Sequence, residues 1–170
     1  TVKTRDLLWR YGIETPVSVI PSGLDLARFR APRRGEVYER MRAAAAGRRS
    51  ILYIGRLAKE KNIGELIGYF RTLEREDLVF FIAGCGPLAA ELEEQAEDLK
   101  GKVVFLGKIP PEQVPECYDA ADIFVSASTS ETQGLTYFEA LSCGKPVLCR
   151  EDDCLRGIVR NGENGFLFRD

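Results

Sequence analysis

The chain has 170 residues, of which 45% are hydrophobic and 29% are charged, and its formal net charge is -2. These values are ordinary for a soluble globular protein with one sizeable core, and the small net charge argues against a nucleic-acid-binding protein. No apolar run has the length needed to cross a bilayer, and no signal peptide opens the sequence.

The chain contains five cysteines and no histidine. The cysteine count is odd, no Cys-x-x-Cys pair is present, and a zinc site would lack its usual histidine partners. We therefore expect reduced, mostly buried thiols in a cytoplasmic protein. A Ser-His or Cys-His nucleophile is excluded within these residues.

The first part of the chain shows few regular patterns. Residues 1–12 predict a helix that ends at Gly12, with Leu7, Leu8 and Tyr11 on one face. Residues 16–21 predict a short strand that leads into a turn.

Arginine is concentrated in residues 28–49, and an alanine-rich helix is predicted from Gly35 to Ala46. A basic face here could attract anionic lipid. Arginines spread along a loop and a helix are also common as simple solvated surface residues, so both interpretations stay open.

From residue 50 onward, apolar strands alternate with helical patterns. Strands are predicted at residues 50–55, 78–83, 103–107, 122–125, 144–149 and 166–168. Helices are predicted to begin near residues 62, 88, 111, 135 and 152. The second of these helices is predicted to end near residue 100 and the last near residue 160. A hairpin-like turn is predicted at residues 161–165. This alternation predicts an α/β fold, a Rossmann-like parallel sheet with helices on both faces.

Two cations, Arg56 and Lys61, flank the turn between the first of these strands and its helix. Arginine offers a fixed two-pronged donor and lysine a mobile point charge, so the pair could neutralise a diphosphate. Two basic residues in a surface loop with no ligand would look the same. Gly84 and Gly86 follow the next strand, where they allow close backbone approach or simply form a tight turn.

Two glutamates, Glu131 and Glu139, follow the strand at residues 122–125. Glu131 is predicted in the loop at the carboxyl end of that strand, and Glu139 about two turns into the next helix. In open α/β sheets ligands bind at this end, and the free N–H groups of a helix start favour an anion. The alternative is two solvated carboxylates that interact with the helix dipole.

Together these segments resemble the retaining GT-B glycosyltransferases of group 1 (glycosyltransferase family 4). The resemblance rests on Glu-x7-Glu from Glu131 to Glu139, Gly-Arg-Leu-x-x-Glu-Lys-Asn around Arg56, Ala-Gly-x-Gly-Pro after the second strand, and Val-Ile-Pro-Ser-Gly-Leu-Asp-x-x-x-Phe near the start. The stretch around Glu131 is most similar to bacterial enzymes that glucosylate diacylglycerol. The acidic segment 150–153 departs from the family pattern, which usually has small residues there.

The resemblance implies that residues 1–170 form the C-terminal nucleotide-sugar-binding domain, one half of a GT-B fold, without the N-terminal acceptor domain and the C-terminal end. It implies a UDP-sugar donor, most simply UDP-glucose, and a lipid or glycan acceptor bound by the N-terminal domain. No metal or other cofactor is expected. Peripheral contact of the full-length protein with the inner face of the membrane is compatible with it.

The resemblance also implies roles for individual residues. Arg56, Lys61 and Glu131 would act in catalysis. Gly84, Gly86, Lys108, Ile109, Gly134, Leu135, Thr136 and Glu139 would bind the donor.

Two other functions stay open on the sequence alone. A UDP-sugar epimerase would use a similar fold, although the cationic pair combined with Glu-Thr-Gln-Gly-Leu-Thr fits the transferases better. A non-catalytic sugar-nucleotide sensor would keep the same binding residues. A dehydrogenase is disfavoured because the third glycine of the dinucleotide fingerprint is missing.

Overall fold

A computed structural model describes residues 1–169. Its centre is one six-stranded sheet in the order β3-β2-β1-β4-β5-β6, with every strand pair parallel. The strands are β1 (Arg49–Ile54), β2 (Leu78–Ala83), β3 (Val103–Gly107), β4 (Ile123–Ser126), β5 (Val147–Arg150) and β6 (Gly165–Phe168). The chain moves outward from β1 to β3 and then returns to pair β4 with β1. Ligand crevices form at such a reversal of strand order.

Helices cover both faces of the sheet. They are α1 (Val2–Arg10), α2 (Ala27–Arg30), α3 (Glu36–Ala45), α4 (Ile63–Thr72), α5 (Ala89–Gln95), α6 (Val114–Ala120) and α7 (Leu135–Ser142). Residues from α3, α6 and α7 form one hydrophobic cluster, and residues from α4 and α5 form a second. The predicted Rossmann-like parallel sheet is thereby confirmed.

Strand β2 shows how the sequence determines this layering. Val79, Phe81 and Ala83 belong to the first cluster. Phe80 and Ile82 belong to the second. Successive side chains of a strand point to opposite faces, so a strand covered by helices on both sides must be apolar throughout.

One prediction in the first part of the chain is wrong, and one needs only a change of bounds. Residues 16–21 form no strand, and Pro16 and Pro21, which lack an N–H, cannot donate to a sheet. The predicted first helix is confirmed as α1, which ends at Arg10 and not at Gly12. It buries no residue, and Tyr11 just beyond it is 76% exposed.

Three predictions further along also need correction. Strand β6 pairs parallel to β5, so the turn at 161–165 does not form a hairpin. The helix predicted from residue 152 is a single 3-10 turn, Asp153–Leu155, and Gly157 beyond it has a φ of +77°. The helix predicted to reach residue 100 stops at Gln95 and is followed by a 3-10 turn, Glu97–Leu99.

Candidate functional site

A cavity of about 310 Å³ opens at the carboxyl ends of β1 and β4. Its walls are the loop from β1 to α4 and the loop from β4 to α7. The predicted site residues that line it are Arg56, Lys61, Glu131, Gly134, Leu135 and Thr136. Six residues that the sequence separates by up to eighty positions are therefore brought to one place by the pairing of β1 with β4.

Lys61 and Glu131 form an ion pair across this cavity. The Lys61 Nζ lies 2.7 Å from Glu131 Oε1, and it also donates to Ser128 Oγ at 3.3 Å. The side chains of Lys61 and Glu131 are 20% and 14% exposed. Because both charges are largely removed from water, each stabilises the other as long as no ligand is bound. An entering diphosphate would compete with Glu131 for the lysine.

Arg56 lies at the cavity edge, where its side chain is open to solvent. Its side chain is 69% exposed, and its guanidinium pairs with Glu60 at 2.5 Å. The pKa of Glu60 is lowered, first by a backbone hydrogen bond and then by Arg56. The Tyr53 hydroxyl donates to the Arg56 carbonyl at 3.0 Å, which fixes the backbone of the loop.

The start of α7 supplies uncharged donors. Gly134 has a φ of +63°, a left-handed conformation that glycine adopts without strain. Within residues 1–169, the N–H groups of Gly134, Leu135 and Thr136 have no hydrogen-bond partner. They lie at the positive end of the helix dipole, which suits phosphate or hydroxyl oxygens.

Glu139 lies one turn into α7, not two as predicted, and does not line the cavity. Its Oε2 accepts a hydrogen bond from the Tyr118 hydroxyl at 2.8 Å. Burial raises the pKa of Glu139, against the opposing effects of the Tyr118 hydrogen bond and the Arg28 charge. The Glu139 carboxylate is thus positioned to accept hydrogen bonds, and its partial removal from water disfavours the charged form.

Gly84 and Gly86 belong to a loop that is joined to the neighbouring β1 loop through the main chain. Leu57 N donates to Cys85 O at 2.9 Å, and Leu88 N donates to Leu57 O at 3.1 Å. A Cβ on Gly84 would lie 1.8 Å from Gly55 O, and one on Gly86 would lie 2.3 Å from Leu57 O. Packing between the two loops thus already requires both glycines, and their role in donor binding stays a prediction.

Lys108 and Ile109 follow β3. Lys108 is exposed, whereas Ile109 is half-buried and packs against the hydrophobic cluster of α3, α6 and α7. Neither lines the cavity, so their contact with the base also stays a prediction.

Several residues for which no role was predicted hold the Glu131 loop in place. The Ala127 carbonyl accepts from Asn62 Nδ2 and from Arg150 Nε, both at 3.2 Å. Arg150 also donates to both carboxylate oxygens of Glu65 at 2.6 Å. Asn62 has a φ of +49° directly before α4, and its place at the end of the Gly-Arg-Leu-x-x-Glu-Lys-Asn segment is a sequence signal that could have marked it.

Lys3 adds a contact from α1. Its Nζ pairs with Asp152 at 2.7 Å and donates to the Glu131 carbonyl at 3.2 Å. Burial raises the pKa of Asp152, but the Cys154 N–H and Lys3 lower it more, so the net pKa is lowered. Segment 150–153, which departs from the family pattern, therefore supports the loop that carries Glu131.

A larger cleft of about 710 Å³ adjoins the first cavity. It lies between α1, residues 19–26 and the start of α7, and apolar side chains such as Val2, Leu26 and Phe138 line it. Thr132, Gln133 and Leu135 border both spaces.

Within residues 1–169, no group of three or more cysteine, aspartate or glutamate side chains is arranged to hold a metal ion. In the same part of the chain, no helix combines the length and the apolar character that crossing a membrane requires.

Comparison with known proteins identifies the family. The sequence profile of the family "Glycosyl transferases group 1" matches residues 38–170. The chain belongs to this family. It is 38% identical to the alpha-monoglucosyldiacylglycerol synthase of Streptococcus pneumoniae, across 96% of this chain and 39% of that protein. It is 32% identical to the protein of the same name from Acholeplasma laidlawii, across 99% of this chain and 44% of that protein. The chain thus spans less than half the length of these group 1 relatives.

Solved structures share the fold of this group 1 chain. The Anabaena protein HepE in complex with UDP and glucose superposes with a TM-score of 0.75 at 23% identity, across 89% of this chain and 43% of that one. The pneumococcal O-GlcNAc transferase GtfA in complex with UDP and GlcNAc gives a TM-score of 0.62 at 28% identity, across 75% and 26% of the two chains. The fold predicted from the sequence, one half of a GT-B glycosyltransferase, is confirmed.

Proposed function

We propose that this chain is the donor-binding half of a retaining glycosyltransferase that moves glucose from UDP-glucose to a lipid acceptor. The observation that carries the proposal is the cavity in which Arg56, Lys61, Glu131 and the start of α7 meet. The names of the two relatives, both synthases of a glucosylated diacylglycerol, support glucose and a lipid acceptor. The UDP bound by GtfA supports a uridine nucleotide.

Arg56 and Lys61 would hold the diphosphate. When the bond between glucose and UDP breaks, negative charge develops on the departing β-phosphate, and the two cations would stabilise that charge. The N–H groups of Gly134, Leu135 and Thr136 add donors that need no reorganisation. These groups would neutralise the diphosphate without a metal ion.

Glu131 would hydrogen-bond the hexose after it releases Lys61 to the diphosphate, and Glu139 would accept from the ribose hydroxyls. The two carboxylates do not form a glycosidase pair. Such a pair must flank the bond that breaks, whereas these two lie on the loop and helix that follow a single strand.

The acceptor would bind a preceding domain, since the relatives are more than twice as long as the aligned region. We therefore expect the 170-residue chain to bind donor but to transfer glucose roughly a thousandfold more slowly than a longer protein that contains it, because nothing positions the acceptor.

Transfer of labelled glucose to diacylglycerol in mixed micelles tests the proposal, with GDP-mannose as the alternative donor. We expect the longer protein to form an α-glucoside from UDP-glucose, identified by the proton coupling of its anomeric carbon. Lys61→Ala should abolish the product, whereas Arg75→Ala, which removes an exposed ion pair with Asp77, should not. A β-linked product, or transfer from GDP-mannose alone, would refute the proposal.

A further inference from the structure

Helix α2 and the loop that joins it to α3 carry a dense group of cations. Arg28, Arg30, Arg33 and Arg34 lie within seven residues, and no acidic residue occurs between positions 26 and 35. We call residues 28–34 the arginine loop. Arg30, Arg33 and Arg34 are exposed, and Arg28 is half-buried.

The segment from residue 28 to residue 49, which holds the arginine loop, differs from the rest of the chain in its ion pairs. No arginine between positions 28 and 49 forms an ion pair with a described residue. Of the nine arginines elsewhere, eight do so, namely Arg5, Arg56, Arg71, Arg75, Arg150, Arg156, Arg160 and Arg169. Compensation of arginine by a nearby carboxylate is therefore the rule in this protein, and the segment that holds the arginine loop is the exception.

Two carboxylates of α6 lie beside the arginine loop, but main-chain groups bind them. Asp119 accepts a hydrogen bond from the backbone N–H of Arg33. Glu116 accepts from the N–H of Val37 at 2.9 Å and of Tyr38 at 3.3 Å, at the start of α3. The exposed guanidinium groups of Arg30, Arg33 and Arg34 thus form no ion pair with a described residue and are open to an external anion.

The backbone that carries these cations is held in place. Phe29 is 4% exposed and packs edge-on against Tyr118, with their ring centroids 6.1 Å apart. The Cys143 thiol donates to the Phe29 carbonyl at 3.0 Å. A fixed backbone keeps the positive charges together, which strengthens their attraction to a charged surface.

We propose that the arginine loop binds the surface of a bilayer that contains anionic phospholipid. Guanidinium groups match phosphate geometry, and the choice of a lipid surface rests on the lipid acceptor of the proposed function. The loop offers no exposed aromatic ring on which a nucleic-acid base could stack, because Phe29 is buried and Tyr38 is half-buried beside Arg34. The bilayer contact would bring the site to the membrane where such an acceptor resides.

Sedimentation with lipid vesicles tests this proposal on the 170-residue chain. Vesicles of phosphatidylglycerol are compared with vesicles of phosphatidylcholine at low and high salt. The test variant combines Arg30→Gln, Arg33→Gln and Arg34→Gln. The control variant combines Arg75→Gln, Arg156→Gln and Arg160→Gln, which removes the same charge from exposed, paired arginines. Thermal unfolding of both variants checks that they fold.

We expect binding to phosphatidylglycerol only, with release at high salt. Each arginine near an anionic surface contributes about a fivefold gain in partitioning, so the test variant should bind roughly 100-fold more weakly. The control variant should stay within about threefold of wild type, because its arginines are already compensated.

Three results would overturn the proposal: equal binding to both kinds of vesicle or to neither, an equal loss in the control variant, or tighter binding to a short DNA duplex than to vesicles. UDP binding is measured on the same proteins. If the vesicle result is negative and UDP binding persists, the lipid contact is refuted while the proposed donor site stands.

Discussion

Gly84→Ala separates the structural role of this glycine from a role in ligand binding. Gly84 has a φ of +138°, and an added Cβ would lie 1.8 Å from the Gly55 carbonyl oxygen. That oxygen belongs to the main chain and cannot rotate away, so the loops after β1 and β2 must separate. The backbone strain costs about 1–3 kcal/mol and the overpacking about 1–3 kcal/mol. The free energy of unfolding should therefore fall by about 2–6 kcal/mol, a large part of the total for a domain of this size.

Urea unfolding followed by circular dichroism, without nucleotide, measures this loss. Gly68→Ala is the matched control, because Gly68 lies in α4 with no atom within 4 Å of the added Cβ. The control should gain up to about 1 kcal/mol from its higher helix propensity. If Gly84→Ala unfolds at the same urea concentration as wild type, the argument that loop packing requires this glycine is refuted.

Three further predictions concern charged groups and thiols. Lys61→Ala leaves the Glu131 carboxylate, which is 14% exposed, without its cation, and should lower the free energy of unfolding by about 1–3 kcal/mol. In urea titrations, adding Glu131→Gln to this variant should largely restore the lost stability. Burial in the folded state raises the pKa of Glu139 above 4.5, so its ionisation destabilises the fold as pH rises through that folded pKa. Glu139→Gln should therefore raise the melting temperature relative to wild type more at pH 7 than at pH 4. An equal difference at the two pH values would contradict this. Cys85 is exposed, whereas burial raises the pKa of the other four cysteines to about 12. Mass spectrometry should therefore find that iodoacetamide labels Cys85 first, and equal labelling of all five cysteines would refute this difference in reactivity.

The sheet was predictable from the sequence because its strands are covered on both faces. A short apolar run such as Leu78–Ala83 that is flanked by helical patterns has few possible structures other than a buried strand. The predicted bounds of this strand are confirmed without change. The location of Arg56, Lys61 and Glu131 in one cavity followed from topology, because loops at the carboxyl ends of adjacent parallel strands must lie close together.

Contacts between distant residues were not predictable. Tyr118 reads as an apolar core residue of α6, yet its hydroxyl binds Glu139, 21 positions away. The Lys3 contact with Asp152 spans 149 positions. Such pairs depend on how helices and loops pack on the sheet, which hydrophobic periodicity does not report.

The glycines after β2 illustrate a second limit of structure prediction from the sequence. A Gly-x-Gly at the end of a strand indicates close backbone approach, but the sequence does not say to what. For Gly84 the nearest group is the Gly55 carbonyl, so the pattern has a structural cause in the folded chain itself.

Calorimetric titration with UDP-glucose tests the central claim, that the cavity between β1 and β4 is a sugar-nucleotide site. The titration uses the 170-residue chain, Lys61→Ala, Glu139→Ala and the control Arg75→Ala, with GDP-mannose and NAD as competing ligands. We predict that UDP-glucose binds most tightly, that each of the first two substitutions weakens it roughly 10-fold or more through loss of a charge-assisted contact, and that the control leaves it unchanged. Equal affinity in all four proteins, or a preference for NAD, would contradict the claim.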